Sequence, residues 1–254
     1  MIWPRIVRGP AWLDLSFVAE GALAAQALAL FEGDWHIAHG ARKATRLDYA
    51  ERLAQHVAAG DIAPLPHPDP AARPADLALA QWVPSGPDFH EDILHALLVS
   101  SAFHAERRLL LATPYFVPDE GLLEALLLAA KRGLRITLVL PRQSNHRLAD
   151  WARGRAVREL VDAGAHVHLV PTMLHAKAVV VDDVLALCGS ANLDSRSLFI
   201  NYEAMAAFYG PREIEWLAQW ITQTAHQGTP ASARPPNWWR DIGEGIVATV
   251  GFQL

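Results

Sequence analysis

The sequence predicts an α/β domain in which a mixed β-sheet carries helices on both faces. Three observations support this fold class: short apolar segments alternate with amphipathic ones after residue 76, several amphipathic segments end at a glycine, and two β-branched segments flank Asp182-Asp183. Strands separated by helices are typical of layered α/β domains. The aspartate pair predicts a tight hairpin, and an antiparallel hairpin makes the sheet mixed rather than purely parallel.

The first part of the chain predicts two helices, at residues 13–31 and 45–59, and Gly60 is expected to end the second. The five prolines between residues 63 and 76 remove backbone donors and predict a linker or a long surface loop. We therefore divide the chain into a tail at residues 1–46, a linker at 47–76 and a catalytic domain at 77–254.

The domain after the linker predicts alternating strands and helices. In chain order they are a strand at 77–83, a helix at 88–105, a strand at 108–113, a helix at 120–131, a strand at 135–140, a helix at 149–163, a strand at 166–170, hairpin strands at 177–181 and 184–187, a strand at 203–208 and a helix at 213–226. Gly133 and Gly164 are expected to end the helices that precede them.

Composition excludes several classes of protein. With 52% hydrophobic and 19% charged residues, the 254-residue chain has the balance of a folded globular protein. The formal net charge of -5 gives no overall electrostatic reason to expect a nucleic acid as partner. The single cysteine, Cys188, excludes an intrachain disulfide and a cysteine-based zinc cluster.

The segment at residues 174–203 carries the chemistry. His175 and Lys177 are two residues apart, so on an extended segment both side chains point to one face, where they can reach the same anionic group. An imidazole beside an ammonium suits a phosphate. After the turn at Asp182, the returning strand leads to Ser190 and Asn192, whose hydroxyl and amide add neutral donors for the same oxyanion.

The spacing His-x-Lys-x4-Asp-x6-Gly-Ser-x-Asn resembles the HKD motif of the phospholipase D superfamily, and every position of the motif is filled. Three further blocks, at residues 85–88, 113–141 and 190–203, are similar to the C-terminal half of bacterial cardiolipin synthases. The likeness covers about residues 75–226. It implies the layered fold of phospholipase D, with a mixed sheet flanked by helices on both faces.

The resemblance implies a phosphodiester transfer through a covalent phosphohistidine, with no metal and no cofactor. One histidine attacks phosphorus, and a second protonates the leaving alcohol and then activates the incoming one. By position, the catalytic residues are His175, Lys177 and Asp182, of which Asp182 is a structural or electrostatic partner. The expected phosphate contacts are Ser190 and Asn192, together with the Lys177 ammonium.

Two residues of the 190–203 block complete the expected site. Glu203 matches a family carboxylate that orients the catalytic imidazole, and Asn201 belongs to the same block. In cardiolipin synthases the donor and the acceptor are anionic phospholipids, typically two phosphatidylglycerols that give cardiolipin and glycerol. The resemblance therefore implies phosphatidylglycerol as the substrate and phospholipid biosynthesis as the role, with no nucleic acid as partner.

The sequence predicts neither an export signal nor a membrane-spanning helix. Pro4, Arg5, Arg8 and Pro10 interrupt the start of the chain, so no export signal is predicted. The most apolar window, at residues 15–31, falls short of the roughly 20 residues that a membrane-spanning helix needs. We therefore expect a peripheral protein at the cytoplasmic side of the inner membrane.

One departure from the family pattern matters. Family members place two HKD motifs in one chain, whereas this sequence contains a single His-x-Lys. Residues 7–35 resemble the stretch that follows the first motif in full-length cardiolipin synthases. The chain is expected to be a truncated copy, an engineered fragment, or a half-enzyme that depends on another polypeptide or on a second copy of itself. A homodimeric phosphodiesterase or nuclease, and an inactive half-site that binds anionic lipid, are the alternatives.

Overall fold

The computed structural model describes residues 12–40, 55, 80–87 and 92–234. The predicted helix at 45–59 and the linker at 47–76 lie outside the described residues, apart from Gln55. The division of the chain into tail, linker and domain therefore stays a prediction.

Six helices and ten strands form the described part of the chain. The helices are α1 (Ala22–Ala38), α2 (Ile93–His104), α3 (Glu120–Lys131), α4 (Arg147–Asp162), the short α5 (Ser195–Phe199) and α6 (Pro211–His226). The strands are β1 (Ala80–Ser85), β2 (Arg108–Ala112), β3 (Phe116–Val117), β4 (Arg135–Pro141), β5 (His166–Val170), β6 (Ala178–Val181), β7 (Leu185–Gly189), β8 (Leu193–Asp194), β9 (Glu203–Phe208) and β10 (Thr229–Pro230).

Eight of these strands form one mixed sheet in the order β1-β9-β7-β6-β2-β4-β5-β10, and β3 pairs with β8 separately. The central strands β2, β4 and β5 run parallel to one another. Strand β6 joins β2 antiparallel, and β7, β9 and β1 continue the antiparallel half of the sheet. The mixed sheet and the hairpin are confirmed.

Helices cover both faces of the sheet, as the sequence predicts. Because side chains alternate along a strand, Leu109 and Leu111 of β2 enter one core while Leu110 enters the other. The first core is completed by helices α2, α3 and α4. The second core is completed by α6, which contributes Ile214 and Ile221. The motif strands are therefore held between two apolar layers.

The beginning of the described chain differs from the prediction. The helix expected at residues 13–31 begins only at Ala22, and the preceding residues are extended. The reason is the alternation of Leu13, Leu15 and Phe17, which pack against the second core from one side of an extended segment. Leu13 forms a parallel bridge with Leu174, so this segment lies directly beside the motif.

The other predicted elements within the described ranges lie where the sequence places them, with ends that shift by a few residues. Four short elements were not predicted: β3, β8, α5 and β10. The hairpin turn contains Val184 in addition to Asp182 and Asp183, and Asp182 takes the left-handed conformation with φ 47°. Within the described ranges, no helix combines the length and the apolar character needed to cross a membrane.

Candidate active site

The candidate site forms at one edge of the sheet. His175 and Lys177 directly precede β6, Ser190 directly follows β7, and Glu203 begins β9. The antiparallel register between β6 and β7, and between β7 and β9, places the start of β6 beside the end of β7 and the start of β9. Hairpin pairing therefore gathers residues that are up to 28 positions apart in the sequence (203 minus 175).

His175 and Lys177 meet at this edge, as their spacing predicts. The Lys177 Nζ lies 3.0 Å from Nε2 and 3.2 Å from Nδ1 of the imidazole, and it donates to the backbone carbonyl of His175 at 2.7 Å. Lys177 is buried, whereas the His175 ring is one-third exposed. Burial lowers the pKa of Lys177, and the carboxylates of Asp14 and Glu203 oppose that shift. The pair therefore places an imidazole nitrogen and a cation where both can reach one anionic group.

The carboxylate that contacts His175 is Asp14, a residue that the sequence analysis did not identify. Its Oδ2 lies 3.1 Å from the imidazole Nδ1. The backbone fixes this contact, because Leu13 donates to the carbonyl of Met173 and accepts from the amide of His175, both at 2.8 Å. A proton on Nδ1 that is shared with Asp14 puts the lone pair on Nε2, the nitrogen that the Lys177 ammonium contacts; Nε2 can attack once that ammonium turns to a bound anion.

Glu203 occupies a different place from the one expected. Among the described residues its hydrogen-bond partner is Asn201, whose Nδ2 donates to Glu203 Oε1 at 3.3 Å. Arg196 in turn donates to Asn201 Oδ1 at 3.4 Å. The imidazole of His175 is hydrogen-bonded to Asp14, so Glu203 acts on Lys177 by charge and has no hydrogen bond to His175. Asn201 positions the Glu203 carboxylate at the site.

The expected phosphate contacts lie at the end of β7. The Ser190 Oγ accepts from the amide of Ala204 at 3.0 Å and is exposed. Asn192 Nδ2 donates to Ser197 Oγ at 3.2 Å, while its buried Oδ1 has no hydrogen-bond partner among the described residues. Gly189 is needed here, because an added Cβ would lie 2.1 Å from the carbonyl oxygen of Ala204.

Asp182 is not brought to the imidazole. It lies in the hairpin turn at the opposite end of β6 from Lys177. Its carboxylate accepts three backbone N–H groups, from Glu106 at 2.9 Å and from Arg107 and Arg108 at 2.8 Å. Although burial acts to raise it, these hydrogen bonds hold the pKa of Asp182 below its ordinary value. The geometry gives Asp182 the structural part of its expected role and no contact with the reacting groups.

The chain is similar to cardiolipin synthases. Residues 98–225 match the family described as "Cardiolipin synthase, PLD-like domain". Cardiolipin synthase A of Escherichia coli O157:H7 (strain EC4115 / EHEC) is 35% identical over 215 residues, and that of strain K12 / DH10B is 34% identical over the same length. Each alignment covers 82% of this chain and 40% of the relative, so the chain spans about two fifths of the curated relatives it matches.

Solved structures with the same fold are also found. The phospholipase D family member Nuc from Salmonella typhimurium superposes with a TM-score of 0.51 at 20% identity, over 61% of this chain and 99% of that chain. Phosphatidylserine synthase from Haemophilus influenzae Rd KW20 superposes with a TM-score of 0.54 at 15% identity, over 70% and 49% of the two chains. At these identities the likeness concerns the fold, and it confirms the layered fold that the sequence predicts.

Proposed function

Because the chain belongs to the cardiolipin synthase family of phospholipase D-like domains, we propose that it carries one half-site of a phosphatidyltransferase in which His175 is the nucleophile. The observation that carries the proposal is the arrangement around one imidazole. Asp14 contacts Nδ1, and the Lys177 ammonium lies 3.0 Å from Nε2. This arrangement prepares Nε2 for attack on an anionic phosphodiester.

The reaction proceeds in two balanced steps. In the first step, Nε2 of His175 attacks the phosphorus of one phosphatidylglycerol. The bond from phosphorus to the oxygen of the headgroup glycerol breaks, and a second, protonated imidazole gives its proton to that oxygen. In the second, the same imidazole takes the proton from a hydroxyl of another phosphatidylglycerol, whose oxygen attacks phosphorus and displaces Nε2. The products are glycerol and cardiolipin, and both histidines return to their starting states.

Three side chains support the phosphate in these steps. Lys177 supplies a compact positive charge for the non-bridging oxygens, and its burial strengthens that interaction because little water screens it. Ser190 is exposed at the same edge and can turn its hydroxyl toward the substrate. Asn192 contributes the third donor once its amide turns from Ser197. The reaction needs no metal ion or cofactor in this scheme.

The second imidazole comes from outside the single motif. Residues 1–254 contain one His-x-Lys, so in this proposal the partner histidine belongs to another HKD motif, whether that motif lies in a second copy of this chain or in a further polypeptide segment. Glu203 can accept a hydrogen bond from this partner histidine. Its carboxylate lies at the site with Asn201 as its described hydrogen-bond partner, and it has no hydrogen bond to His175. The lipid substrate also implies peripheral binding to the cytoplasmic face of the inner membrane.

The test combines solution mass with activity. We expect purified chain that sediments as a dimer to release glycerol from phosphatidylglycerol vesicles and to form cardiolipin, while monomer is silent without an added partner half. His175→Ala should abolish the reaction because the nucleophile is removed. Lys177→Arg should also abolish turnover, because the broad planar guanidinium replaces the compact ammonium. His104→Ala, which removes an imidazole exposed at the end of α2, is the matched control.

Two outcomes contradict the proposal. Undiminished turnover of His175→Ala would show that this imidazole is not the nucleophile. Hydrolysis of nucleic acid by a dimer that leaves phosphatidylglycerol intact would favour the homodimeric nuclease instead. A chain that binds phosphatidylglycerol but turns over neither alone nor with a partner half would be the inactive lipid-binding alternative.

A further inference from the structure

A second site of distinct character lies on helix α4. A cavity of about 670 Å³ opens between the N-terminal half of α4, the end of β5 and residues 231–234. Five arginines line it, whereas Asp150 is the one carboxylate among the described residues of its wall. The five are Arg142, Arg147, Arg153, Arg158 and Arg234. We call it the arginine cavity, and its formal excess of positive charge contrasts with the net charge of -5 of the whole chain.

Arg153 is the best-defined group of the arginine cavity. It is 6% exposed, its Nη2 donates to the carbonyl of Arg142 at 3.0 Å, and the same Nη2 lies 3.0 Å from Asp150 Oδ1. Its Nη1 is buried and has no hydrogen-bond partner among the described residues. A buried guanidinium donor without an acceptor is costly, because it has lost water and gained nothing. An acceptor that reaches this nitrogen would offset that cost.

The local charges do not satisfy Arg153 by themselves. The amide of Ser144 donates to Asp150 Oδ2 at 2.8 Å, and Asp150 Oδ1 is itself buried without a hydrogen-bond partner among the described residues. Burial lowers the pKa of Arg153, and Asp150 opposes that shift. An arginine nevertheless stays charged near neutral pH. The cavity therefore presents a fixed, charged and partly unsatisfied donor group.

The arginine cavity is separate from the His175 site. Arg142 directly follows β4, and β2 lies between β4 and β6 in the sheet. Two inter-strand spacings put the cavity roughly 10 Å or more from the start of β6. Both sites open at the same edge of the sheet, because β4 ends where β6 begins. None of the residues that line the cavity belongs to the His175 site.

We propose that the arginine cavity binds a phosphate-bearing anion at a site distinct from the reacting phosphate. Guanidinium groups suit phosphate because their planar fork donates two parallel hydrogen bonds to its oxygens. The volume accommodates a glycerophosphate group, which a soluble ester and a phospholipid headgroup share. Trp151 of α4 lines the cavity and is 47% exposed, which allows contact with a lipid surface as well.

The test is a calorimetric titration of the full chain with glycerol 3-phosphate, repeated with phosphatidylcholine vesicles that contain or lack phosphatidylglycerol. Arg153→Met should weaken binding about tenfold or more, since a charge-assisted hydrogen bond is lost. Arg147→Gln, an exposed position of the same wall, should weaken it in the same direction without disturbing the core. Arg135→Gln is the charge-matched control at the exposed start of β4, at the opposite edge of the sheet.

The outcomes separate the ligand sources and the two sites. Binding of the soluble ester with this pattern of variants supports a site for free phosphate esters, and binding confined to phosphatidylglycerol vesicles supports a headgroup site. Equal affinity in all variants, or binding to neither probe, would overturn the proposal. So would a signal that disappears in Lys177→Met and persists in Arg147→Gln, because the phosphate would then lie at the His175 site. Retained binding in His175→Ala keeps this result independent of catalysis.

Discussion

The imidazole of His175 is held between a carboxylate and an ammonium. Asp14 approaches Nδ1 at 3.1 Å, and Lys177 approaches Nε2 at 3.0 Å. The carboxylate contact orients the ring, and in the proposed reaction it would stabilise the cationic ring while the ammonium would bind the phosphate oxygens. The orientation of one ring therefore depends on a residue from a distant part of the chain.

We expect Asp14→Asn to lower kcat about 10- to 100-fold while KM changes little, because the neutral amide keeps the size of the side chain but not its charge. Steady-state assays on phosphatidylglycerol vesicles with the catalytically competent assembly measure both constants. The matched control is Asp162→Asn, which changes an exposed aspartate at the end of α4. Equal kcat values for Asp14→Asn and Asp162→Asn would show that Asp14 has no part in the mechanism.

Part of the contact set around His175 could be predicted from the sequence, and part could not. His175 and Lys177 could be predicted because two positions on an extended segment share a face, which is a local rule. Asp14 could not be paired with His175 in this way, since 161 residues separate them and only the fold brings them together. A signal was present in the alternation of Leu13, Leu15 and Phe17, which marks Asp14 as the exposed position of an extended segment.

At the scale of elements, the β6–β7 hairpin is attached to the start of β2 through Asp182. Its carboxylate accepts three consecutive amides, at residues 106–108, while its backbone takes the left-handed turn conformation. Aspartate suits both demands, because it tolerates positive φ and accepts hydrogen bonds with both oxygens. The turn thereby sets the register of the strand that carries His175 and Lys177 at its other end.

Asp182→Asn should lower the free energy of unfolding by about 1–3 kcal/mol, because an amide NH2 then faces a backbone N–H that has lost its acceptor. The pKa of Asp182 is lowered in the folded state, so its contribution is present above the ordinary value of 3.8 and is lost as the pH falls through the folded value. Urea unfolding at several pH values tests this. The difference between the two proteins should be constant near neutral pH and shrink in acid, and a constant difference throughout would contradict it.

The contact between β7 and β9 depends on Gly189. A methyl group there would meet the Ala204 carbonyl oxygen at 2.1 Å, so Gly189→Ala should cost about 2–4 kcal/mol of stability and displace Ser190. Gly133→Ala is an informative comparison, because its φ is positive but no atom lies within 4 Å of the added carbon. It should cost only about 1 kcal/mol. Thermal unfolding measures both, and a loss at Gly189 no larger than that at Gly133 would show that the contact with the Ala204 carbonyl is relieved at little cost.

Element types and order were predictable because they follow from periodicity and from glycine stops. Helix α3 occupies the predicted residues, and α4 ends one residue before the predicted end. The start of α1 was wrong, since an apolar alternation and an apolar helix look alike over a few residues. Tertiary packing against the second core decided the outcome for residues 13–17.

At the scale of the whole molecule, the sheet separates two apolar cores, and Cys188 lies in the second one beneath α6. Its thiol is 7% exposed, and burial raises its pKa to about 12. A thiol in that state is inert as a nucleophile. The cysteine therefore reports on the integrity of the core, with no part in the chemistry at the sheet edge.

We expect Cys188 to react very slowly with a disulfide reagent such as DTNB at pH 8. A rise in pKa from 9.0 to about 12 lowers the thiolate fraction by about a thousandfold, and burial restricts access further. Stopped-flow absorbance in increasing urea should show the rate rising together with the loss of circular dichroism, because the thiol becomes accessible when the second core opens. Rapid stoichiometric reaction of the native protein would contradict this.

The contact between Leu13 and Leu174 can form only late in synthesis of the chain. A ribosome adds 161 residues between these two partners, which takes on the order of 10–30 s at typical elongation rates. During that interval the apolar side chains of Leu13, Leu15 and Phe17 have no sheet to cover. The polar residues that alternate with these side chains keep the segment solvated meanwhile, and the site described above is complete only after Glu203 has been made.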